Sequence, residues 1–368
     1  MSLATPSLRN SQCTRYRYRY SECQRCADAC PHEAITLGDE GATLVVDKCQ
    51  NCGLCLSACQ TGAWSSSSFR LIDLLRQAIR LPAWQVACAP AGGATADAIL
   101  PCLGVVDGVT LAYMAKRGIP VTLHGQWHCT ECAHGRTGAA LLAENLDAVA
   151  VLRQGAGAAG VDWVLPQLAG PPGEDSSMVC QKEFAPARRQ LFRRLVGRGV
   201  DEVILSPQSE DSPVPEKAMW PGPYSLPERR ELLQIVTGVK TGEPFPMRLH
   251  DTLPLMQLSL QAGCTVCEAC FRVCPTGALL IDENPDAWAL QFRMDRCVGC
   301  QACLEVCQPR VLDAEASFDA RAEQPVRVLQ SLNKQRCSCC DRHFVSAVPE
   351  KTCPVCRDDE DAFAAIFG

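Results

Sequence analysis

Short apolar runs alternate with helical patterns along the middle of this sequence. Apolar runs of strand length occur at 85–88, 119–123 and 203–205, and helical patterns occur at 108–116, 138–145 and 183–196. Strands that alternate with helices usually pair in parallel. We therefore predict a small central α/β domain with a parallel sheet over residues 71–205.

A stretch rich in proline and serine follows at residues 206–227, a composition typical of a linker. A helix is predicted from Pro227 to about Val236, because proline is favoured at the first helical position. Irregular sequence then continues to residue 254. We assign residues 206–254 as a linker that contains one helix.

Cysteine changes the picture most, because the 368-residue chain contains 26 of them. The N-terminal residues lack the apolar segment of a secretory signal, and no apolar run is long enough to span a membrane. We therefore expect a cytoplasmic protein without membrane insertion, whose cysteines hold metals rather than form disulfides. The net charge of -6 argues against a nucleic-acid partner, which would require a basic surface.

The cysteines between residues 264 and 307 are regularly spaced. Two runs, 264–274 and 297–307, each place three cysteines at intervals of three and a fourth cysteine four residues later. This is the bacterial spacing for [4Fe–4S] clusters: three thiolates wrap one cluster, and the fourth reaches its neighbour. Zinc and disulfides are the alternatives, but zinc sites usually pair two CxxC units. Apolar segments at 278–281 and 289–292 predict a hairpin between the runs.

The N-terminal residues repeat this pattern with one departure. The run 49–59 is regular, but the preceding run has its first cysteine displaced to Cys13. Nine residues, 14–22, lie between Cys13 and Cys23, where two are usual. A hairpin that joins 35–37 to 43–46 is again predicted between the two runs.

Arginine and tyrosine alternate within the inserted residues 15–20. In an extended chain this alternation places arginine on one face and tyrosine on the other. We predict an edge hairpin with a solvated arginine face. The alternatives are a basic docking strip for an acidic partner and tyrosines that shield the cluster.

Residues 13–64 and 264–315 each resemble a bacterial 2[4Fe–4S] ferredoxin. With two such modules in one chain, the protein is similar to polyferredoxin-like electron-transfer proteins. The likeness rests on the cysteine runs and on Cys274-Pro275-Thr276-Gly277-Ala278, which recurs in modified form from Cys59 to Ala63. The resemblance implies ferredoxin modules at residues 1–70 and 255–318, which together carry four [4Fe–4S] clusters.

The crossed ligation of that family implies four ligand sets. They are Cys13, Cys23, Cys26 and Cys59; Cys30, Cys49, Cys52 and Cys55; Cys264, Cys267, Cys270 and Cys307; and Cys274, Cys297, Cys300 and Cys303. The chain departs from the family pattern at the Cys13–Cys23 gap and at Gln60 and Gln308, which replace proline. If Cys13 does not coordinate, its cluster would be a [3Fe–4S] or labile cluster.

The C-terminal residues 330–368 carry two CxxC units, formed by Cys337, Cys340, Cys353 and Cys356. Two such units build a tetrahedral four-thiolate site of zinc-ribbon type. We predict one zinc ion, with mononuclear iron as the alternative. Cys339 lies between the ligands and is predicted to be a bystander.

Four cysteines of the central domain form a possible further centre: Cys88, Cys102, Cys129 and Cys132. They follow predicted strands, and the carboxyl ends of parallel strands share one edge of a sheet. The segments 101–107 and 127–135 resemble a cysteine-bearing domain found with hydrogenases and heterodisulfide reductases, such as the delta subunit of methyl-viologen-reducing hydrogenase. This likeness implies an additional iron–sulfur or metal centre. Buried apolar cysteines and a redox dithiol are the alternatives, and Cys180 is predicted to be unliganded.

The whole chain is thus expected to be a multidomain α+β protein: two ferredoxin-like modules, a central α/β domain and a zinc-ribbon-like tail. No glycine-rich nucleotide motif and no catalytic triad is evident. We expect a soluble electron-transfer protein or subunit that serves a larger redox enzyme or oxidoreductase complex. The alternatives are a disulfide or small-molecule reductase with its active site at the central cysteines, and a redox-responsive scaffold. Four clusters and one zinc site at about -2 each would take the charge from -6 to about -16, which favours basic partners.

Overall fold

The computed structural model describes residues 5–67, 70–91, 96–171, 226–238, 243–321 and 326–358. The helices are α1 (Thr14–Arg17), α2 (Arg25–Asp28), α3 (Leu54–Ala58), α4 (Leu71–Ala78), α5 (Gly108–Lys116), α6 (Gly135–Gly155), α7 (Glu228–Val236), α8 (Ala269–Val273) and α9 (Ala302–Glu305). The strands are β1 (Ser7–Leu8), β2 (Ile35–Gly38), β3 (Gly41–Leu44), β4 (Trp64–Ser65), β5 (Trp84–Cys88), β6 (Ala98–Leu100), β7 (Val121–His124), β8 (Gln167–Leu168), β9 (Pro246–Arg248), β10 (Leu258–Leu260), β11 (Leu279–Glu283), β12 (Ala287–Phe292), β13 (Leu312–Ala314), β14 (Ser317–Asp319), β15 (Arg327–Arg336) and β16 (His343–Ser346).

These elements mix helix and sheet, as the sequence predicts. Three predicted features lie outside the described residues: the helix at 183–196, the strand at 203–205 and most of the linker, residues 206–225. Cys180 also lies outside them.

The central residues form a parallel sheet in the order β6-β5-β7-β8. Helix α5 begins after Asp107, whose carboxylate accepts a hydrogen bond from the backbone N–H of Thr110 at 2.9 Å. This contact satisfies one of the free N–H groups at the start of the helix. Cys88 ends β5, so it lies at the edge of the sheet where the carboxyl ends of the strands meet.

Helix α6 is longer than the predicted helix at 138–145, because it begins at Gly135 and ends at Gly155. Its buried apolar residues continue past Asn145 to Leu152, so one face stays in the core over the added turns. On the exposed side, Asp147 accepts hydrogen bonds from Arg248 at 2.6 Å and His250 at 3.0 Å. The helix thereby connects the central sheet with the segment that leads into the second module.

In the N-terminal module the predicted hairpin forms as β2 and β3, and β1 pairs with β4. The predicted extended strand at 15–20 is wrong, because Thr14–Arg17 form one helical turn. The backbone N–H groups of Arg17 and Tyr18 donate to Cys13 and Thr14 at 3.1 and 2.8 Å. These local hydrogen bonds satisfy backbone groups that an edge strand would leave exposed.

The second module and the tail share one antiparallel sheet. Strands β11 and β12 form the predicted hairpin, β15 pairs with β12, and β16 pairs with β15. The segments assigned from sequence as 255–318 and 330–368 are therefore joined through main-chain hydrogen bonds. Strand β15, which begins at Arg327, spans the boundary between them.

One buried cluster of apolar residues runs from the central sheet through α7 into the second module. Helix α7 is fixed at its C-terminal end by Lys116, whose ammonium donates to the carbonyls of Ile235, Val236 and Gly238 at 2.9, 2.9 and 2.7 Å. A cation suits these carbonyls because they carry the negative end of the helix dipole. Within the described ranges, no helix combines the length and apolar character needed to cross a membrane.

Candidate metal centres

The cysteine side chains gather in five chambers and one tail site, and no disulfide joins the cysteines of the described ranges. We name the chambers in spatial order. Chamber A contains Cys88, Cys102, Cys129 and Cys132; B contains Cys30, Cys49, Cys52 and Cys55; C contains Cys13, Cys23, Cys26 and Cys59; D contains Cys274, Cys297, Cys300 and Cys303; and E contains Cys264, Cys267, Cys270 and Cys307.

Chamber C brings Cys13 beside its predicted partners despite the nine-residue insertion. All four thiols line one cavity together with Trp64. Burial, together with charge at Cys59, Cys23 and Cys13, raises the pKa of Cys26 to about 12. The inserted residues begin as a helical turn outside the chamber, and the chain re-enters the chamber at Cys23. The carbonyl of Cys23 accepts a hydrogen bond from Arg15 at 2.7 Å.

Chamber B is formed by the other half of the N-terminal module. Burial raises the pKa of Cys52 to about 11, with further contributions from Cys30 and Cys49. Burial also raises the pKa of Cys55, and charge at Cys52, Cys49, Cys30 and Cys26 of the adjoining chamber C adds to the effect. Cys30 therefore lies with the cysteines of the other run, as crossed ligation requires.

In chambers D and E of the second module, one cysteine of each run again lies with the three cysteines of the other run. The four thiols of chamber E line one cavity, where Cys307 lies with the cysteines of the 264–270 run. In chamber D, burial raises the pKa of Cys303, and charge at Cys300, Cys297 and Cys274 raises it further. Cys267 of chamber E is exposed, whereas Cys303 and Cys297 of chamber D are buried.

Chamber A lies at the edge of the central sheet where the carboxyl ends of the strands meet. Its four cysteines line one cavity with Gly125 and Gly138. A Cβ at either glycine would lie 2.5 Å from a sulfur atom, that of Cys88 for Gly125 and that of Cys102 for Gly138. Because real Cβ atoms do not approach so closely, both positions require glycine to keep the four thiols together.

The tail site contains the four predicted cysteines, whose sulfur atoms all lie within 4.8 Å of one another. The backbone N–H of Cys353 donates to the sulfur of Cys337 at 3.3 Å. Backbone hydrogen bonds from Cys340 and Cys353 lower the pKa of Cys337 to about 6. This lowered pKa favours the thiolate form that binds metal. Cys339 is exposed.

The donor groups fit iron–sulfur clusters in chambers B to E. Each chamber offers four thiols. Burial raises the pKa of Cys55 in chamber B, Cys26 in C, Cys303 in D and Cys270 in E, so iron must replace protons when a cluster assembles. In chamber E the buried indole N–H of Trp288 has no hydrogen-bond partner among the described residues, yet Trp288 lines the cavity. A cluster sulfur is an acceptor that such a donor would suit.

The chambers adjoin one another in a row. Cys300 of chamber D lines the cavity that holds the four thiols of chamber C, and charge at Cys23 adds to the burial that raises the pKa of Cys300. Cys102 of chamber A packs in one apolar cluster with Cys52 of chamber B. The spatial order is therefore A, B, C, D, E.

Several side chains near the chambers were not assigned to a site from the sequence. His32 and His134 are hydrogen-bonded through ring nitrogens at 2.8 Å, and both rings offer a nitrogen within 4.8 Å of the Cys52 sulfur. His134 also donates its backbone N–H to the sulfur of Cys132 at 3.4 Å, so it lies between chambers A and B. Four arginines contact cysteine carbonyls around chambers C and D, as described below. The only sequence signal for two of them is the insertion at 14–22, which breaks the regular spacing.

Two regions of the chain match a known protein family. Residues 21–63 and 263–311 match the model of the 4Fe-4S dicluster domain. The second match includes all eight cysteines of chambers D and E, whereas the first begins after Cys13. Searches of curated proteins and of solved structures gave no match. The matches support ferredoxin-like modules, 4Fe-4S clusters and a role in iron–sulfur electron transfer.

Proposed function

We propose that this protein relays single electrons through four [4Fe–4S] clusters, held in chambers B to E, to or from a larger redox enzyme. The observation that carries this proposal is the junction between chambers C and D, where Cys300 of one module lines the cavity of the other. When bound, a [4Fe–4S] cluster exchanges one electron with little change in geometry. The two dicluster regions are therefore parts of one row rather than separate carriers.

The protein residues contribute the spacing of the row and its insulation from water. Crossed ligation fixes B beside C and D beside E, because each run contributes one cysteine to the neighbouring chamber. Most of the thiols are buried or partly buried, which limits access of water and oxidants to them. The partly exposed chamber at the far end of the row is E, where Cys267 reaches the surface.

Chamber A extends the row as a fifth centre in this proposal. Its support is the packing of Cys102 against Cys52, which places it beside chamber B. Electron exchange with a partner would then take place at both ends of the row, at chambers A and E. The alternative is a reductase whose substrate reacts at chamber A, fed by the four clusters.

The tail site is proposed to hold zinc, with iron as the alternative. Four thiolates in a closed arrangement, reinforced by backbone N–H donors to sulfur, are typical of structural zinc sites. The site would stabilise the turn between β15 and β16 and the segment that follows β16. It therefore supports the sheet that joins the tail to the second module.

The partner is proposed to be a redox enzyme or complex subunit with a basic docking patch. The reason is the negative charge of the chain, which cluster binding increases. Association rates should fall as ionic strength rises. Association rates that do not change with salt would contradict this part of the proposal.

Metal and sulfide analysis of anaerobically purified protein tests the proposal. We expect about 16 iron atoms and about one zinc atom per chain, and about two or four further iron atoms if chamber A is filled. Colourless protein without acid-labile sulfide, or cysteine sites filled by zinc alone, would overturn the electron-transfer role.

A glycine substitution separates chamber A from the other four. In Gly138→Ala the new Cβ would lie 2.5 Å from the sulfur of Cys102, so we expect loss of the additional iron while about 16 atoms remain. The control is Gly170→Ala, where the added Cβ would meet nothing within 4 Å. If wild-type protein contains more than about 16 iron atoms and G138A protein contains the same number, the extra iron is bound outside chamber A.

A further inference from the structure

Four arginines donate hydrogen bonds to the backbone carbonyls of four cysteines, and we call them the arginine collar. Arg15 donates to Cys23 at 2.7 Å, Arg17 to Cys274 at 3.2 Å, Arg229 to Cys59 at 2.8 Å, and Arg230 to Cys297 at 2.7 Å. Cys23 and Cys59 belong to chamber C, and Cys274 and Cys297 belong to chamber D. Each of the two chambers that face each other thus receives two guanidinium groups.

The collar arises from two segments that lie outside the cysteine runs. Arg15 and Arg17 lie in the insertion between Cys13 and Cys23, and Arg229 and Arg230 are adjacent on helix α7. Arg17 reaches from the N-terminal module to the second, where it also donates to Val273 at 2.9 Å. Arg229 and Arg230 reach opposite modules from one helical turn.

Burial of Arg230 distinguishes it from a surface arginine. The residue is 2% exposed, and it also donates to the carbonyl of Met294 at 2.7 Å. Desolvation lowers the pKa of Arg230 to about 10, an effect that nearby charge at Cys297 and Asp295 opposes. A buried cation needs a nearby negative charge, because removal from water is costly.

Arg229, on the other side of the helix turn, is only partly buried. Desolvation lowers its pKa, and charge at Asp107 and Cys59 opposes this shift. Neither Arg229 nor Arg230 forms an ion pair with a carboxylate of the described residues. Bound clusters in chambers C and D would place further negative charge beside both guanidinium groups.

Chamber E has a different electrostatic setting. The residues that line it include Glu268, which is ion-paired with Arg272 at 2.6 Å. This pair has no net charge, whereas the collar adds positive charge to chambers C and D. Local charge and hydrogen bonding set the potentials of iron–sulfur clusters.

We propose that the arginine collar raises the reduction potentials of the clusters in chambers C and D above that of the cluster in chamber E, so that this facing pair is reduced before chamber E and stores electrons between encounters with partners. The inference rests on the proposed function, because it requires clusters in these chambers. Each reduction adds one electron from an external one-electron donor and takes the cluster charge from about -2 to about -3. No bond is formed or broken, and no proton is transferred.

The positive charge of the collar also reduces the repulsion between two reduced clusters in chambers C and D. Two added negative charges in neighbouring chambers oppose each other, which would make the second reduction harder. Two guanidinium groups per chamber offset this effect locally. The arginines act on potential and position and are not themselves redox groups.

The test is an anaerobic redox titration with dithionite, followed by electron paramagnetic resonance. For the wild type we expect the two clusters of chambers C and D to be reduced at higher potential than the cluster of chamber E. Arg229→Gln should lower the potential of one of this pair and Arg230→Gln that of the other. We expect about a tenfold decrease in each equilibrium constant for reduction, which corresponds to 59 mV for one electron.

Lysine variants separate charge from structure. Arg229→Lys and Arg230→Lys keep the positive charge but lose the forked donor geometry, so the potentials should stay closer to the wild-type values than in the glutamine variants. Arg117→Gln removes one charge from an exposed helix end and should move none of the four potentials. Iron and sulfide content and circular dichroism identify variants that fail to fold.

The outcomes distinguish failure of the inference from failure of the proposed function. Wild-type protein without iron, sulfide or a paramagnetic signal on reduction would refute the function itself. Four intact clusters with one common potential would refute only the inference. Glutamine variants that leave the potentials of the pair unchanged, or that move all four equally, would also refute it.

Discussion

The two ferredoxin modules carry the same eight-cysteine pattern but differ in what surrounds their chambers. In the second module the spacing is regular, and chamber E lies partly open with Cys267 exposed. In the N-terminal module one run is interrupted, and both chambers are covered by other parts of the chain. Chamber C faces Cys300 of the second module, and chamber B faces Cys102 of the central domain.

This difference shows what the interruption contributes. The insertion at 14–22 leaves Cys13 beside Cys23 and Cys59. The inserted residues instead provide contacts between modules, through Arg17 and the carbonyls of Val273 and Cys274. A regular run is sufficient to form a chamber, and the interrupted run forms both a chamber and an interface.

Serine substitution of the first cysteine in each module tests the equivalence of the two patterns. We expect Cys13→Ser and Cys264→Ser to have matching effects, since both sulfur atoms lie with three other thiols. Each variant should lose about four iron atoms, or about one if its cluster becomes [3Fe–4S]. Iron and sulfide analysis with electron paramagnetic resonance measures the loss.

Cys339→Ser is the matched control, because Cys339 is exposed and lies outside the five chambers and the four-cysteine tail site. It should keep the wild-type iron content. Should C13S protein retain all its iron while C264S protein loses a cluster, Cys13 is not a ligand and the modules are not equivalent.

Loss of Arg17 should weaken the interface between the modules. Arg17→Gln removes charged hydrogen bonds to carbonyls of the second module, at a cost of about 3 kcal/mol. We expect the melting temperature of the anaerobic holoprotein to fall by several degrees. Differential scanning calorimetry measures this change.

Arg19 offers a control within the same insertion. It forms an exposed ion pair with Asp39 at 3.5 Å, a contact that contributes roughly 0–1 kcal/mol. Arg19→Gln should therefore leave the melting temperature nearly unchanged. Equal effects of R17Q and R19Q would mean that Arg17 does not hold the modules together.

The sequence predicted the local features of both modules well. Regular cysteine spacing and the apolar segments around Asp282 to Pro285 predicted the runs and the hairpin, because each depends on a few neighbouring residues. The described strands β2, β11 and β12 overlap the predicted segments, whereas β3 begins two residues before the predicted 43–46. The parallel pairing of β5 with β7 follows from the same kind of local alternation.

Contacts between distant segments could not be predicted in this way. The extended prediction for residues 15–20 failed because alternation alone does not reveal that Arg17 has carbonyl partners more than 250 residues away. The arginines of α7 gave a helix prediction but no indication of their carbonyl partners. The proximity of His32 to His134 likewise depends on how the central domain packs against chamber B.

One buried tryptophan in each module, Trp64 and Trp288, provides the finest comparison between the modules. Trp64 lines chamber C and hydrogen-bonds to Cys26, whereas Trp288 lines chamber E with an indole N–H that has no partner in the described parts of the chain. If the Trp288 donor is matched to a cluster sulfur, its contribution appears only when the cluster is present. The hydrogen bond between Trp64 and Cys26 contributes to stability with or without the cluster.

Phenylalanine variants separate these two situations. In metal-free protein, Trp64→Phe should lower stability by about 1 kcal/mol, whereas Trp288→Phe should not, because it removes no existing hydrogen bond. In protein loaded with clusters, Trp64→Phe should lower the reduction potential of the cluster in chamber C, and Trp288→Phe that of the cluster in chamber E. Each equilibrium constant for reduction should fall roughly fivefold. Denaturant unfolding and the redox titration measure the two effects. A W288F protein with wild-type potentials would show that the indole does not donate to the cluster, and the difference between the tryptophans would then be one of packing alone.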